Sequence, residues 1–418
     1  MTQHTTVGCH VFAGAMTAGL KQAGFRTPLN LECHGFGLES ARQFADEVYD
    51  GPQSSWPGLI PDWDEVAFMH GNPRCTGFSS VTCGLGEDSH GPWARQCQDL
   101  RDLCELGIAM RVPVICWESV QQAYTVGRPL LDMLRDEQFA PAGYRIAHLF
   151  INAATFGNPQ QRKRYFFVAY RRGLQFNIEP PAELPAHKPC VADVLWPAQY
   201  YGTNILSKDG DYDIHTHKRI TPQMVETIRN MPSGWSTNGM GKHAPELLSA
   251  FHRAKWDTRN SDMPFSLHAS ARLRWLERCP TLTGACSNLV HPELDRYITV
   301  GEAAALMGWP KRDGQQVIPR GEAPYAQIAK GVVPAVAKWL GEQVIRCLDG
   351  YWGDDDWESS YDDARDTWTG GDSSDKIEKV FDMTKLNTKR RPLPEELGMS
   401  EEQAYRRYHE SDLWRRAV

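Results

Sequence analysis

Val66-Ala67-Phe68-Met69-His70-Gly71-Asn72-Pro73-Arg74-Cys75-Thr76-Gly77-Phe78-Ser79 decides how this chain is read. Its first part, Val66 to His70, is an apolar run of strand length. The remainder is a Pro/Gly-rich turn that holds out a single cysteine. A strand ending in such a turn sets the thiol at its carboxyl end, where parallel α/β sheets bind their ligands. A thiol offered there serves as a nucleophile or as a ligand. No second cysteine or histidine stands at metal spacing from Cys75, so the reading is a nucleophile, with no metal expected.

Outward from this stretch, residues 7–170 alternate short apolar runs with helical patterns. The strand candidates are Val7 to Ala13, Pro28 to Cys33, Val66 to His70, Val112 to Trp117 and Tyr165 to Tyr170. Gln96 to Ala109 and Leu130 to Glu137 have helical spacing. This alternation predicts βαβ units and a mostly parallel sheet covered on both faces. The loops after Ala13, Cys33, His70 and Trp117 would then converge on one site. Residues 171–278 break the pattern, being rich in Pro, Gly, Asn, His and Trp, and read as a loop-rich second domain. Helical spacing returns at Val300 to Met307 and at Val333 to Leu348, the latter expected to pack back on the first domain. Residues 350–375 are acidic and Gly/Ser-rich, the composition of a flexible linker, and 393–416 is a charged amphipathic helix candidate.

The chain has 418 residues, 41% hydrophobic and 23% charged, which suits a soluble globular protein with a sizeable core. No apolar run approaches the roughly 18–20 residues needed to cross a bilayer, and the start does not resemble a secretion signal. Eleven cysteines without CxxC pairs argue for reduced thiols and a cytoplasmic setting. The net charge of −7 is concentrated in residues 350–418, which hold 17 acids against 11 bases. Residues 171–278 carry 14 Lys/Arg against 11 Asp/Glu, a mildly basic segment able to meet phosphates. Charge alone permits nucleic-acid binding without demanding it.

Five segments in order resemble the cytosine-C5 DNA methyltransferase family. Val11-Phe12-Ala13-Gly14 with Ala18-Gly19-Leu20 resembles the family's donor-cradling strand–loop–helix. Glu32 matches the acid that binds the ribose hydroxyls. The Cys75 turn, Trp117-Glu118-Ser119-Val120, and Phe156-Gly157-Asn158-Pro159-Gln160-Gln161-Arg162-Lys163-Arg164 follow. Pro280-Thr281-Leu282-Thr283-Gly284, the stretch from His291-Pro292 to Gly308-Trp309-Pro310, and Gln327-Ile328-Ala329-Lys330-Gly331-Val332-Val333-Pro334 resemble its last motifs.

The resemblance implies a Rossmann-like S-adenosylmethionine-dependent methyltransferase fold. Residues 1–170 would form the catalytic and donor-binding domain and 171–278 the target-recognition domain. Residues 279–349 would complete the catalytic domain, leaving 350–418 as acidic linker and helical tail. Cys75 would attack C6 of a cytosine, turning C5 into a carbon nucleophile. Glu118 would bond N3 and the exocyclic amine, and Arg162 and Arg164 would orient the base and its sugar-phosphate. Phe12, Ala13, Gly14, Glu32 and Pro73 would bind the donor. Double-stranded DNA is the implied partner, its target base flipped out, and Thr76 to Ser89 a mobile loop closing over the site. The resemblance implies a prokaryotic cell, or a virus in a bacterial host, as the setting.

The sequence departs from the family at several points. His10 stands where aspartate is common, Arg74 replaces a proline, and Thr76 replaces a glutamine. A cation at Arg74 would lower the pKa of the Cys75 thiol. Lys330 replaces an asparagine near the donor, and an ammonium beside a sulfonium is repelled. That replacement suits a donor with a carboxylate on its transferable carbon, carboxy-S-adenosyl-L-methionine, in place of S-adenosyl-L-methionine. The product would be 5-carboxymethylcytosine. Three other readings remain at this level: an ordinary DNA cytosine-5 methyltransferase using S-adenosyl-L-methionine, with Lys330 turned to solvent or a DNA phosphate, an RNA methyltransferase of the same family, and a DNA-binding paralogue without catalysis. The intact Cys75, Glu118, Arg162 and Arg164 speak against the last.

Overall fold

The computed structural model describes residues 3–79, 86–179, 181, 189–195, 204–206, 212–257, 270–284, 286–350, 378–384 and 403. Chain contacts divide into two units. The first comprises Met1–Phe156, Lys163–Leu184 and Gly331–Leu386, the second Gly157–Arg162, Pro185–Lys330 and Asn387–Val418.

An eight-stranded sheet organises the first unit. Its strands are β1 (Thr5–Cys9), β2 (Arg26–Glu32), β3 (Glu47–Asp50), β4 (Val66–Gly71), β5 (Val114–Ser119), β6 (Tyr144–Asn152), β7 (Lys163–Arg171) and β8 (Glu378–Met383). They lie in the order β8-β6-β7-β5-β4-β1-β2-β3. Every neighbouring pair is parallel except those of β7, which runs antiparallel to β5 and β6. The strand order reverses between β1 and β4, so the carboxyl ends of these strands flank the switch point where such sheets bind ligands.

Both faces are covered, as the unbroken apolar runs of the central strands require. All six residues of β5 are buried, as are Tyr165 to Tyr170 of β7. Trp117 stacks on Phe167 with ring centroids 5.1 Å apart and planes 10° off parallel. Burying a ring of this kind stabilises the fold by roughly 1.5–3 kcal/mol. On one face Leu100, Leu103 and Cys104 of the helix Gln98–Ala109 are buried at helical spacing. The helix Pro334–Asp349 packs on the helix Ala15–Ala23 so closely that a Cβ on Gly19 would lie 2.3 Å from the Pro334 carbonyl oxygen. Among the described residues, no helix is long and apolar enough to cross a membrane.

The first strand stops at Cys9, short of the expected Ala13. His10 and Phe12 take φ of 54° and 49°, left-handed values that end an extended strand. The strands β3, β6 and β8 were not expected. β3 has four residues, two exposed and two half-buried, and Tyr144 to Asn152 in β6 buries both faces and lacks strict alternation. β8 lies within the stretch read as linker and tail. It joins the sheet edge because Glu378 takes hydrogen bonds from His148, from Arg128 at 3.1 Å and from Arg135 at 3.3 Å. Residues 351–377 and the helix candidate at 393–416 lie outside the described residues, Gln403 apart.

The second unit has a small core of Ile228, Met231, Met240, Leu248, Val290 and Tyr297. Its helices Pro222–Arg229 and Thr237–His243 are capped by Thr221 and Ser236, whose hydroxyls accept backbone N–H bonds. Buried Arg272 ties the unit together by donating to the carbonyls of Ile228 at 2.6 Å, Met231 at 3.0 Å and His291 at 3.2 Å. Residues 279–330 group with this unit, whereas the sequence placed a boundary at 278. The helix Val300–Met307 is buried along its whole length, and Tyr325 donates to the Ile298 carbonyl at 2.7 Å.

Candidate active site

One side of the candidate site is built where β1 and β2 end. The left-handed Phe12 turns the chain into Ala13 and Gly14, and Gly14 begins the helix Ala15–Ala23. This loop is crossed by Gly37, itself left-handed, where a Cβ would stand 2.9 Å from the Phe12 carbonyl. Only glycine fits there. Glu32 closes the pocket from the end of β2. It is fully buried, and its Oε1 accepts the Phe12 N–H at 2.7 Å. Its Oε2 is buried with no hydrogen-bond partner among the described residues. Burial pushes this carboxyl up to about 8, against the Phe12 and Cys33 backbone N–H groups, which favour the charge. A buried acceptor left open beside a turned backbone loop fits the paired hydroxyls of a ribose.

The Cys75 side of the candidate site is built where β4 and β5 end. Asn72 is buried after β4, and its Nδ2 donates to Glu118 Oε2. Glu118, near the end of β5, is 2% exposed, and its Oε1 pairs with Arg164 Nε at 2.8 Å. Because β7 runs antiparallel to β5, the start of β7 lies at the carboxyl end of β5, which brings Arg164 to Glu118. Two groups thus orient one carboxylate. Pro73 is buried, and Cys75 follows half-buried, with its carbonyl accepting the Phe78 N–H at 3.0 Å. The turn Thr76–Phe78 is held from outside by the Gly91 N–H, which donates to the Gly77 carbonyl at 2.8 Å. Residues 80–85 of the expected closing loop lie outside the described residues.

Arg74 does not stand as a lone cation beside the thiol. It binds Asp99 twice, Nε to Oδ2 at 2.6 Å and Nη2 to Oδ1 at 2.9 Å, so its charge is balanced. Burial of Asp99 raises its pKa, but the bonds from Arg74 and His34 and the nearby His10 outweigh this and hold it below the usual carboxylate range. His34 Nε2 shares Asp99 Oδ2 at 2.9 Å. His10 is fully buried, and burial pushes its imidazole down to about 4, so it is neutral at pH 7.

Arg162 belongs to the second unit and is 2% exposed. Its guanidinium donates to the carbonyls of Leu282 at 3.0 Å and Ala329 at 2.9 Å, bracing that unit's own backbone. Lys330 is the exposed last residue of the helix Pro324–Lys330, one position before the chain enters the first unit. Sequence reasoning missed Asn72, Asp99 and the group of His10, Cys33 and His34. One ligand atom from each of these three lies within 4.8 Å of the others. Asn72 sits in the turn quoted at the outset and was legible there. The three-residue group was not, because its members meet only when β1 and β2 pair.

This sheet, with a glycine loop after β1, an acid after β2 and a thiol after β4, is the fold of the S-adenosylmethionine-dependent cytosine-C5 methyltransferases. A protein encoded within an E. coli prophage and described as a DNA modification methyltransferase superposes with a TM-score of 0.57 at 16% identity, covering 83% of this chain and all of that one. The sequence profile of the C-5 cytosine-specific DNA methylases matches residues 124–346, just over half of the chain, and the chain belongs to that family. Type II methylase M.HgiDII of Herpetosiphon aurantiacus is 25% identical over 243 residues, 56% of this chain and 64% of that protein. Type II methyltransferase M1.HphI of Haemophilus parahaemolyticus is 26% identical over 350 residues, 80% of this chain and 84% of that protein. The family brings with it S-adenosylmethionine as donor class and cytosine in DNA as acceptor.

Proposed function

We propose that the chain alkylates C5 of a flipped cytosine in double-stranded DNA through a transient bond from Cys75 to C6. The observation that carries this is the Glu118 carboxylate, buried at the strand ends and aimed by Asn72 and Arg164. A carboxylate so held can bond the N3 and amine edge of cytosine and favour the charge that develops when a thiolate adds to C6. Once C6 carries the sulfur, C5 takes the alkyl carbon and the donor's sulfonium leaves as a thioether. Loss of the C5 proton then expels the Cys75 thiolate. Phe12, Ala13, Gly14 and Pro73 would hold the donor, and Glu32 its ribose. The donor supplies the electrophilic carbon. Arg162 acts on this reading by shaping its own unit's backbone.

The finer reading concerns the donor. We infer a donor with a carboxylate on its transferable carbon, giving 5-carboxymethylcytosine, because a lysine replaces the family's asparagine at 330. Covered by the bound donor, an ammonium–carboxylate bond is worth about 1.5–3 kcal/mol, roughly a tenfold to hundredfold preference. Left in open solvent the pair would contribute under ~1 kcal/mol. One observation favours ordinary methyl transfer instead. Lys330 ends a helix, where a cation is stabilised by the helix dipole without any donor.

Nucleoside mass spectrometry of duplex DNA incubated with each donor separately tests both levels. Carboxymethylcytosine formed preferentially, and lost in favour of methylcytosine in Lys330→Asn, supports the finer reading. Methylcytosine alone, unchanged in that variant, removes it and keeps the reaction. Modified cytosine in RNA only would move the acceptor, and none in either would leave a DNA-binding role.

A further inference from the structure

We propose that His10, Cys33 and His34 form a binding site for a borderline-soft divalent cation of the zinc class, with the fourth position open to water. All three, and Asp99 beside His34, belong to the first unit. His10 follows β1, Cys33 and His34 follow β2, and Asp99 lies in the first turn of the helix Gln98–Ala109.

The distances fit a coordination sphere. Zinc bonds of about 2.3 Å to sulfur and 2.0–2.1 Å to nitrogen, set tetrahedrally, place sulfur and nitrogen roughly 3.5 Å apart. Cys33 Sγ stands 3.8 Å from His10 Nδ1 and 3.5 Å from His34 Nε2. Asp99 Oδ2 lies 2.9 Å from His34 Nε2, a carboxylate at the rim of the group that orients this imidazole. The thiol can donate to one imidazole and accept from the other, and the same approach of one sulfur to two ring nitrogens is what a shared cation requires.

The surroundings also suit a metal. Metal-bound imidazoles direct their second nitrogen to a carbonyl or carboxylate. The Gln53 side-chain amide lies 3.0 Å from His10 Nε2, where its oxygen can accept that N–H once the amide is turned. Arg74 holds Asp99 by both oxygens, fixing its direction and balancing its charge. His10 is fully buried, whereas the His34 side chain is 25% exposed, leaving a route from solvent. Histidine and thiolate donors select zinc over magnesium or calcium, which require oxygen. A cation here would staple the ends of β1 and β2 together. It does not depend on the reaction proposed above.

The test uses the full chain, stripped with chelator and titrated with cobalt(II) as a spectroscopic stand-in for zinc. The expected result is one equivalent bound, a near-ultraviolet sulfur-to-cobalt band, visible bands of tetrahedral intensity, and displacement by zinc. Cys33→Ser should remove the sulfur band, His34→Ala should weaken binding at least tenfold, and Cys75→Ser should change neither. No sulfur band in the unmutated protein overturns the proposal whatever the variants do. So does a band that survives Cys33→Ser or disappears with Cys75→Ser. Circular dichroism of each variant separates lost binding from lost folding.

Discussion

Arg164 at the start of β7 reaches across to Glu118 near the end of β5, Nε to Oε1 at 2.8 Å. The antiparallel register of β5 and β7 makes this contact, and it aims a buried carboxylate near the Cys75 turn.

Removing Arg164 should therefore cost rate more than fold. Arg164→Ala is expected to lower kcat on duplex DNA about 10²-fold, the usual worth of a group that sets up a catalytic acid or electrostatic stabiliser. Arg162→Ala should behave differently, because Arg162 braces backbone carbonyls of the second unit. Its buried bonds predict a loss of about 2–3 kcal/mol of stability, read by urea denaturation. Equal stability losses in the two variants would contradict this division of labour.

Glu32 makes stability depend on pH in an unusual direction. Its folded carboxyl is raised to about 8 from an ordinary 4.5. Between these values the folded protein keeps a proton that the unfolded chain has lost, so stability falls as pH rises through this window. Thermal unfolding between pH 5 and 8 should show the decline, and Glu32→Gln should flatten it. A variant profile parallel to the unmutated one would place the dependence elsewhere.

The docking of β8 depends on charge in the opposite sense. The hydrogen bond from His148 is the main cause holding Glu378 down to about 2, with Arg128 adding to it against the cost of burial. A lowered carboxylate gives stability that is fully present above about 4.5 and is lost as pH falls through about 2. Glu378→Gln should speed amide exchange in β8 and along β6 at pH 7. Exchange unchanged in β8 would mean that the strand is held by its backbone pairing alone.

The helix Ala15–Ala23 tolerates no side chain where it meets Pro334–Asp349. Gly19→Ala would set a Cβ 2.3 Å from the Pro334 carbonyl oxygen and 2.6 Å from the Ala337 methyl. The expected loss is about 1–3 kcal/mol, measured by denaturation, whereas alanine usually strengthens a helix by up to ~1 kcal/mol over glycine.

Much of the sheet was legible because its central strands are apolar runs closed by turns, as at Val66 to Gly71. β8 was hidden because its six residues follow an acidic stretch and are held by partners some 230 residues away, such as His148. Of the candidate site, Cys75, Glu118 and Glu32 were legible as motif residues at strand ends. The partners that orient them were less so. Arg74 reads as a cation beside a thiol until Asp99 is seen to bind it, and Arg162 and Arg164 look alike in sequence although the first precedes β7 and the second lies on it, with different partners. Such distinctions depend on which distant backbone passes by, which no local pattern encodes.

The most direct measurement of the central claim is covalent capture on duplex DNA carrying 5-fluorocytosine at the target base. Fluorine at C5 cannot leave as a proton does, so the reaction stops with the sulfur of Cys75 still bonded to C6. Intact-mass and peptide analysis should show a donor-dependent adduct on the Cys75 peptide, absent in Cys75→Ser. An adduct that persists in Cys75→Ser, or modified cytosine formed by that variant, would contradict the account.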